Sequence, residues 1–489
     1  MIPVSTFAGR RVAVFGLGAS GNATALALVA GGAEVAAWDD GPASRDAAAK
    51  AGVPLADLKT ADWSGFSALV LAPGVPLTHP EPHWTVQKAR AAGIEVIGDI
   101  ELFFRERAAH CPDAPVIAIT GTNGKSTTTA LTGHVLRAAG LDVQVGGNIG
   151  TAVLSLAPPA PGRFYVLELS SFQIDLTTDA FLKPTVGVLL NITPDHLDRH
   201  GPADDTAAAM ANYAAIKKRL VDNAETAIVG LEDGLSHASD LCEAIFHPLE
   251  HGAGAALAFT RKRAQVDRMV FNEGGKLRRF IGLSGTAGLE EVLVDLRGAR
   301  ALRGSHNAEN ASAAFLICEW LGLPHDEIGA ALKTYPGLAH RMEEVGRDGK
   351  VVFINDSKAT NADSTDKALA SWDKDIFWIL GGKPKEGGIT SLASYFPRVA
   401  KAYLIGYASD EFATTLEGRV PYERCVTLDV ALARAAADAK LSSGPEPVVL
   451  LSPACASYDQ FKSFEHRGNV FRDMVAKLPG IVLSAKGTP

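Results

Sequence analysis

The stretch Val116-Ile117-Ala118-Ile119-Thr120-Gly121-Thr122-Asn123-Gly124-Lys125-Ser126-Thr127-Thr128 decides the reading of this chain. A β-branched run enters a glycine loop, and a helical stretch leaves it. That order puts backbone amides and a helix N-terminus where phosphates can be held. Lys125 can neutralise the β and γ groups of a nucleoside triphosphate and Ser126 can ligate Mg²⁺, with Gly121, Thr122, Asn123, Gly124 and Thr127 completing the cradle. A standard Walker A loop has glycine where Ile119 stands, so this loop is shortened to GxxGKS. A chance Gly-Lys-Ser in a turn is the competing reading, and the flanking strand and helix weigh against it. ATP or GTP is expected here.

Working outward, short β-branched runs alternate with Ala-rich helical stretches along most of the chain. Val12–Phe15, Glu34–Trp38, Ala68–Leu71, Tyr165–Leu169, Gly187–Asn191, Val351–Asn355, Ile376–Leu380, Ala402–Ile405 and Val448–Leu451 read as further strands. Several are apolar at consecutive positions, as parallel strands covered on both faces are. The class is α/β, with several doubly wound sheets in series. Arg105–Pro115 reads as a charged, proline-bearing linker, and a second break falls near Tyr335-Pro336-Gly337, after a helical stretch from Asn307 to Lys333. The stretch from about Gly234 to Arg300 has no clear pattern.

At 489 residues the chain has room for roughly three domains. A net charge of −8 argues against a nucleic-acid backbone or an anionic membrane as partner. The five cysteines are scattered and never spaced CxxC, which disfavours a disulfide framework or a zinc cluster and points to a reducing cytosol. Arg10-Arg11 ahead of an apolar stretch imitates an export leader, but five glycines interrupt it and the pattern reads as a strand entering a helix. A cytoplasmic protein with no bilayer span is expected.

Four other constellations carry chemistry. Gly16-Leu17-Gly18-Ala19-Ser20-Gly21 follows a strand, and Asp39 ends the next one. The glycines let a turn approach a diphosphate and the carboxylate can accept from a ribose hydroxyl, so NAD or another diphosphate ligand fits. Glu168 and His196, each at a strand end, face the crevice where Mg²⁺ would sit beside Ser126; N-capping by Asp195 with His196 as its partner is the plainer alternative. Lys217 falls inside the apolar stripe of a helix over Ala209–Val221 and needs a partner or a chemical change, unless it snorkels or forms an ordinary ion pair. In the last third, Asn355–Asn361, Gly381–Lys385 and Ser452–Lys462 each follow a strand, where ligand loops belong.

Taken together, the Gly121–Thr127 loop, Leu167-Glu168-Leu169-Ser170-Ser171-Phe172-Gln173 and Ala454-Cys455-Ala456-Ser457-Tyr458-Asp459-Gln460-Phe461-Lys462 resemble the Mur ligases, ATP-dependent amide-forming enzymes of peptidoglycan precursor assembly. The motifs are most similar to those of the branch that adds D-glutamate to UDP-N-acetylmuramoyl-L-alanine. The resemblance implies three domains: a Rossmann-like UDP-substrate domain (1–107), a central P-loop-type ATPase domain with a mostly parallel sheet (108–336), and a Rossmann-like amino-acid domain (337–489). It reassigns the first glycine loop from NAD to UDP. It implies Ser20, Asp39, Gly74, Asn148 and His196 on the UDP-substrate. Asn307, Asn310, Arg341 and Asp356 would join the phosphate loop on ATP, and Thr360, Lys385, Ser457 and Phe464 would hold D-glutamate, with Lys383 as the competing lysine. Two Mg²⁺ ions are implied, one on Ser126 and Glu168 and one on His196 and Lys217, the lysine as its carbamate. A monomer with only small-molecule partners is expected.

Overall fold

The computed structural model describes residues 1–202, 204–231, 255–260, 268–282, 288–384 and 387–487. These form two compact units, one of 1–297 with 305–332, the other of 298–304 with 333–489.

The first unit carries two sheets. In the smaller, β1 (Arg11–Phe15), β2 (Glu34–Trp38), β3 (Ala68–Leu71) and β4 (Glu95–Ile97) lie in the order β2-β1-β3-β4, all parallel. Between β1 and β2 runs α1 (Ala19–Ala30), and after β4 comes α2 (Asp99–His110). The second sheet is built on β5 (Val116–Thr120), β6 (Asp142–Gly147), β7 (Arg163–Glu168), β8 (Val186–Leu189) and β9 (Thr226–Leu231). It continues through β10 (Ala255–Thr260), β11 (Arg268–Glu273), β12 (Lys276–Ile281) and β13 (Leu289–Asp295), in the order β13-β12-β11-β10-β9-β8-β5-β7-β6. Strands from β6 to β11 pair parallel, and β12 and β13 close the far edge antiparallel. Every residue of β5 is buried, which its unbroken Val-Ile-Ala-Ile-Thr run requires.

The segment read as a linker is different in the structure. Arg105–His110 are the last turns of α2, and the 107/108 limit falls inside that helix. The Arg107 guanidinium is buried, donating to the Ala114 carbonyl (2.8 Å) and the Lys183 carbonyl (3.1 Å). Ile100, Leu102, Phe103 and Phe104 of α2 join one hydrophobic core that includes Val12 and Leu28 on one side and Val116 and Tyr165 on the other. Arg105 pairs with Glu95 and Glu101, and Glu106 with His110, so the charges of Arg105–His110 belong to a packed helix.

Helix α3 (Lys125–Ala138) leaves the phosphate loop, and α4 (Thr206–Asp222) packs on β8 with Asp205 as its N-cap. The single helical stretch expected over Asn307–Lys333 is two helices, α5 (Ser305–Trp320) and α6 (His325–Thr334). Gly322, at φ 88°, turns the chain, and Pro324 cannot continue the first helix.

The second unit has one sheet, from β14 (Glu343–Asp348), β15 (Val351–Asn355), β16 (Ile376–Gly381), β17 (Val399–Ile405), β18 (Tyr422–Val426), β19 (Val448–Leu451) and β20 (Val482–Leu483). The order is β18-β17-β16-β19-β15-β14-β20, parallel except at β14 and β20. Its two faces carry separate apolar cores, one around Trp378 and one around Phe353 and Phe471, the latter on α7 (Phe464–Val475).

Candidate active site

The phosphate loop leaves β5 at Gly121 (φ 149°) and enters α3 through Gly124, whose φ of 84° is left-handed. A Cβ at Gly124 would stand 2.4 Å from Asn310 Oδ1, so the loop closes against α5 only with glycine there. Asn310 accepts from Thr128 Oγ1 (3.2 Å) and donates to Asn307 Oδ1 (3.3 Å), which brings both asparagines to the base of the loop. Lys125 Nζ donates to the carbonyls of Gly121 (3.0 Å) and Thr122 (2.8 Å). Ser126 and Thr127, half-buried, occupy the first turn of α3. Asn191, just past β8, grips the loop from the side: its Oδ1 accepts from the Asn123 amide (2.8 Å) and its Nδ2 donates to the Asn123 carbonyl (3.1 Å).

Glu168 ends β7, the strand next to β5, and is buried. Its Oε1 accepts from Asn148 Nδ2 (2.8 Å), while Oε2 is buried without a hydrogen-bond partner. Lys217, from α4, is 1% exposed. Its Nζ donates to Thr120 Oγ1 (3.2 Å) and the Gly121 carbonyl (2.9 Å), and it lies 4.7 Å from the centre of the Tyr213 ring. It does not snorkel, and among the described residues it forms no ion pair. Burial, and then the positive charge of Lys125, hold its amine well below the usual lysine range. Tyr213 in turn meets Thr122 Oγ1 through its hydroxyl (3.1 Å).

His196 takes a left-handed φ of 51° and begins the turn Leu197–His200. Asp195 does not cap that turn with its side chain; its carboxylate faces His196 Nε2 at 3.6 Å. The His196 ring lies against Phe172, and no hydrogen bond joins it to Lys217. His200 is buried, stacked on Phe172, and bonded through Nε2 to Ser171 Oγ (2.9 Å), and burial pushes its imidazole down to about 4.

In the smaller sheet, Asp39 accepts from the Leu17 amide through Oδ2 and from the Gly41 amide through Oδ1, both at 2.7 Å. Its carboxylate thus shapes the glycine loop as well as facing it. Ser20 lies in the first turn of α1 and lines a small cleft with Gly21, Ala72, Pro73 and Asp99. The Gly74 carbonyl accepts from Arg199 (3.2 Å), tying this loop to the turn after His196.

The second unit carries the remaining residues. Asp356 accepts from the Met342 amide (3.1 Å) and from Ser452 Oγ (2.8 Å), and burial pushes its carboxyl up to about 7. Arg341 lies between His340 and Met342, both at positive φ. Thr360 is in the loop after β15, Ser457 Oγ is buried without a partner in the loop after β19, and Phe464 opens α7. Lys385 lies outside the described residues; Lys383 forms a bridge with Ala456, its amide donating to the Ala456 carbonyl at 2.9 Å.

Residues 119–318 match the Mur ligase middle domain, and residues 340–455 match the Mur ligase glutamate ligase domain. The chain is 56% identical over 482 residues to the UDP-N-acetylmuramoylalanine--D-glutamate ligase of Brucella abortus (strain 2308), covering 99% of each. The chain belongs to the Mur ligase family. The ligase of the same name from Agrobacterium fabrum is 56% identical, with 100% of each chain covered. Among solved Mur ligases, the fold resembles the UDP-N-acetylmuramate-alanine ligase of Thermotoga maritima (TM-score 0.54, 18% identity, 95% of this chain and 98% of that one). MurF from Acinetobacter baumannii gives 0.55 at 16% identity, covering 86% and 93%.

Several groups that shape this family site were not singled out by the sequence reading. Asn191 lies two residues past the end of β8, in the segment that follows a strand, and that position was its signal. Tyr213 and His200 gave none, because their roles depend on contacts between separate elements.

Proposed function

We propose that this chain is an ATP-dependent ligase that forms the amide between UDP-N-acetylmuramoyl-L-alanine and D-glutamate in peptidoglycan precursor synthesis, through an acyl phosphate. Glu168 carries the reading: a buried carboxylate on the strand beside the phosphate loop, with one oxygen lacking a partner. That orphaned oxygen fits a cation shared with Ser126, and His196 and carbamylated Lys217 form the second proposed Mg²⁺ site. Bound there, Mg²⁺ would offset the negative charge on phosphates and carboxylate as they meet.

A free carboxylate is a poor acyl donor. In the proposed reaction the alanyl carboxylate attacks the γ-phosphorus, the bond to the bridging oxygen breaks, and ADP leaves. Lys125 stabilises the charge on the phosphates as they separate. The neutral amine of D-glutamate then attacks the acyl carbon, and inorganic phosphate departs from the tetrahedral intermediate. The UDP group is held by the glycine loop of the smaller sheet, the acceptor by Thr360, Ser457, Phe464 and Lys385. Phosphate release measured with UDP-muramoyl-alanine, ATP and a panel of amino acids tests the reading: release with D-glutamate is expected, and release with a different amino acid in its place would overturn the assignment.

Asp39→Ala is expected to weaken UDP-muramoyl-alanine by about 10- to 150-fold while leaving ATP unchanged, the worth of charge-assisted hydrogen bonds of this kind. The substitution frees the Leu17 and Gly41 amides that now shape the loop. Titration calorimetry with each ligand separates the two; equal losses would mean a general loss of fold.

A further inference from the structure

Arg467, on the first turns of α7, is fully buried, and among the described residues no carboxylate lies within ion-pair distance of it. Isolated buried charges are costly, and a guanidinium kept this way has a task that a neutral side chain does not perform. Its Nε donates to Ser357 Oγ (3.0 Å), and Nη2 donates to the carbonyls of Ser357 (2.8 Å) and Cys455 (3.1 Å). Ser357 Oγ donates onward to the Phe464 carbonyl (2.8 Å). The third nitrogen, Nη1, has no acceptor, and neither does Ser457 Oγ two residues beyond Cys455. Gly382 lets the backbone close over this nitrogen: a Cβ there would be 3.3 Å from Nη1 and 2.4 Å from the Ala456 carbonyl.

One side chain therefore fastens the loop after β15, which carries Thr360, to the loop after β19, which carries Ser457, and both to the turn that carries Phe464. It also places a guanidinium charge beneath them, on which Cys455 and the carboxylates of Asp459 and Asp356 act without forming an ion pair among the described residues. We propose that Arg467 is a positioning residue for the acceptor amino acid, and that its buried charge gives the site its preference for an amine bearing carboxylates. The proposal rests on the D-glutamate reading given above. Burial lowers the guanidinium to about 10, so it remains charged at neutral pH. In a buried setting the charge acts over a longer range than in water, so no direct contact with the acceptor is needed.

The test uses the full-length enzyme with all three substrates. Arg467→Met is expected to raise KM for D-glutamate on the order of 10- to 100-fold, with KM for ATP and for UDP-muramoyl-alanine within about threefold of the parent. Arg467→Lys restores a cation, but a buried ammonium loses its proton more readily than a guanidinium. The ratio of its D-glutamate KM to that of the parent is therefore expected to climb as pH rises from 7 to 9. A role in fold support alone moves all three KM values together and gives a pH-independent ratio; that result overturns the proposal, as does an unchanged D-glutamate KM in Arg467→Met. Where the methionine variant does not fold, the pH course of the lysine variant decides. If the parent uses a different anionic acceptor, the D-glutamate reading fails and the same ratios are taken with that acceptor.

Discussion

Lys125→Ala is expected to lower ATP-dependent phosphate release by at least about 100- to 1,000-fold, the loss that follows removal of one preorganised group facing transition-state charge. The amine stands at the mouth of the phosphate loop, held by the Gly121 and Thr122 carbonyls, on the first residue of α3. The helix N-terminus and the loop amides remain in the variant, so nucleotide is expected to bind, more weakly, while turnover collapses. The loss belongs to kcat, because the lysine meets most charge as the γ-phosphoryl group moves. A melting temperature close to that of the parent and an unchanged affinity for UDP-muramoyl-alanine are the controls. Robust turnover by Lys125→Ala removes this lysine from the mechanism, and failure of the parent to bind ATP removes the ligase reading with it.

The parts of the fold legible in the sequence are those whose residues are covered on both faces. β5, β15 and β19 are apolar runs apart from the closing Thr120 and Asn355, and the structure buries every residue of each. β14, with the sequence Glu-Glu-Val-Gly-Arg-Asp, has no such run; it pairs antiparallel with β15 through the backbone, and Arg347 ties it to Glu446 ahead of β19. β6 ends in two glycines and reads as a loop until β7 is seen beside it. α2 was hidden for a related reason, since composition reports charges but not that Arg107 spends its donors on two buried carbonyls.

The site divides in the same way. Lys125, Ser126, Glu168 and Lys217 announce themselves because loop, strand end and helix stripe are local patterns. The Thr122–Tyr213 and Ser171–His200 bonds join residues 91 and 29 positions apart, and the Arg467–Ser357 bond spans 110. No local pattern encodes such pairs. What the sequence offers there is only a polar residue in an apolar stretch, a signal shared with many residues of no special role.

Lys217→Ala is expected to be nearly inactive, down by about 100-fold or more if its carbamate is a preorganised electrostatic element of the site, while Lys218→Ala stays active. The two neighbours differ in surroundings. Lys218 is partly exposed and paired with Asp222 one turn on, whereas Lys217 is buried beneath the phosphate loop, its nitrogen against a hydroxyl, a carbonyl and a tyrosine face, with Lys125, Asp195 and Glu168 acting on it electrostatically. Burial and the charge of Lys125 shift its amine toward the neutral form. The neutral form is the one that reacts with carbon dioxide: the nitrogen lone pair attacks carbon, one proton leaves, and a carbamate anion remains. The charge changes from positive to negative, so a side chain that would repel Mg²⁺ becomes one able to ligate it. Lys125 thus has a second effect, since its positive charge favours both the neutral amine and the resulting anion. The expected outcome is partial recovery of Lys217→Ala by acetate or formate, no recovery of Lys125→Ala, and UDP-muramoyl-alanine binding intact in both. Density for a bare ammonium with nucleotide and both metals bound, or full activity of Lys217→Ala, would end the carbamate proposal.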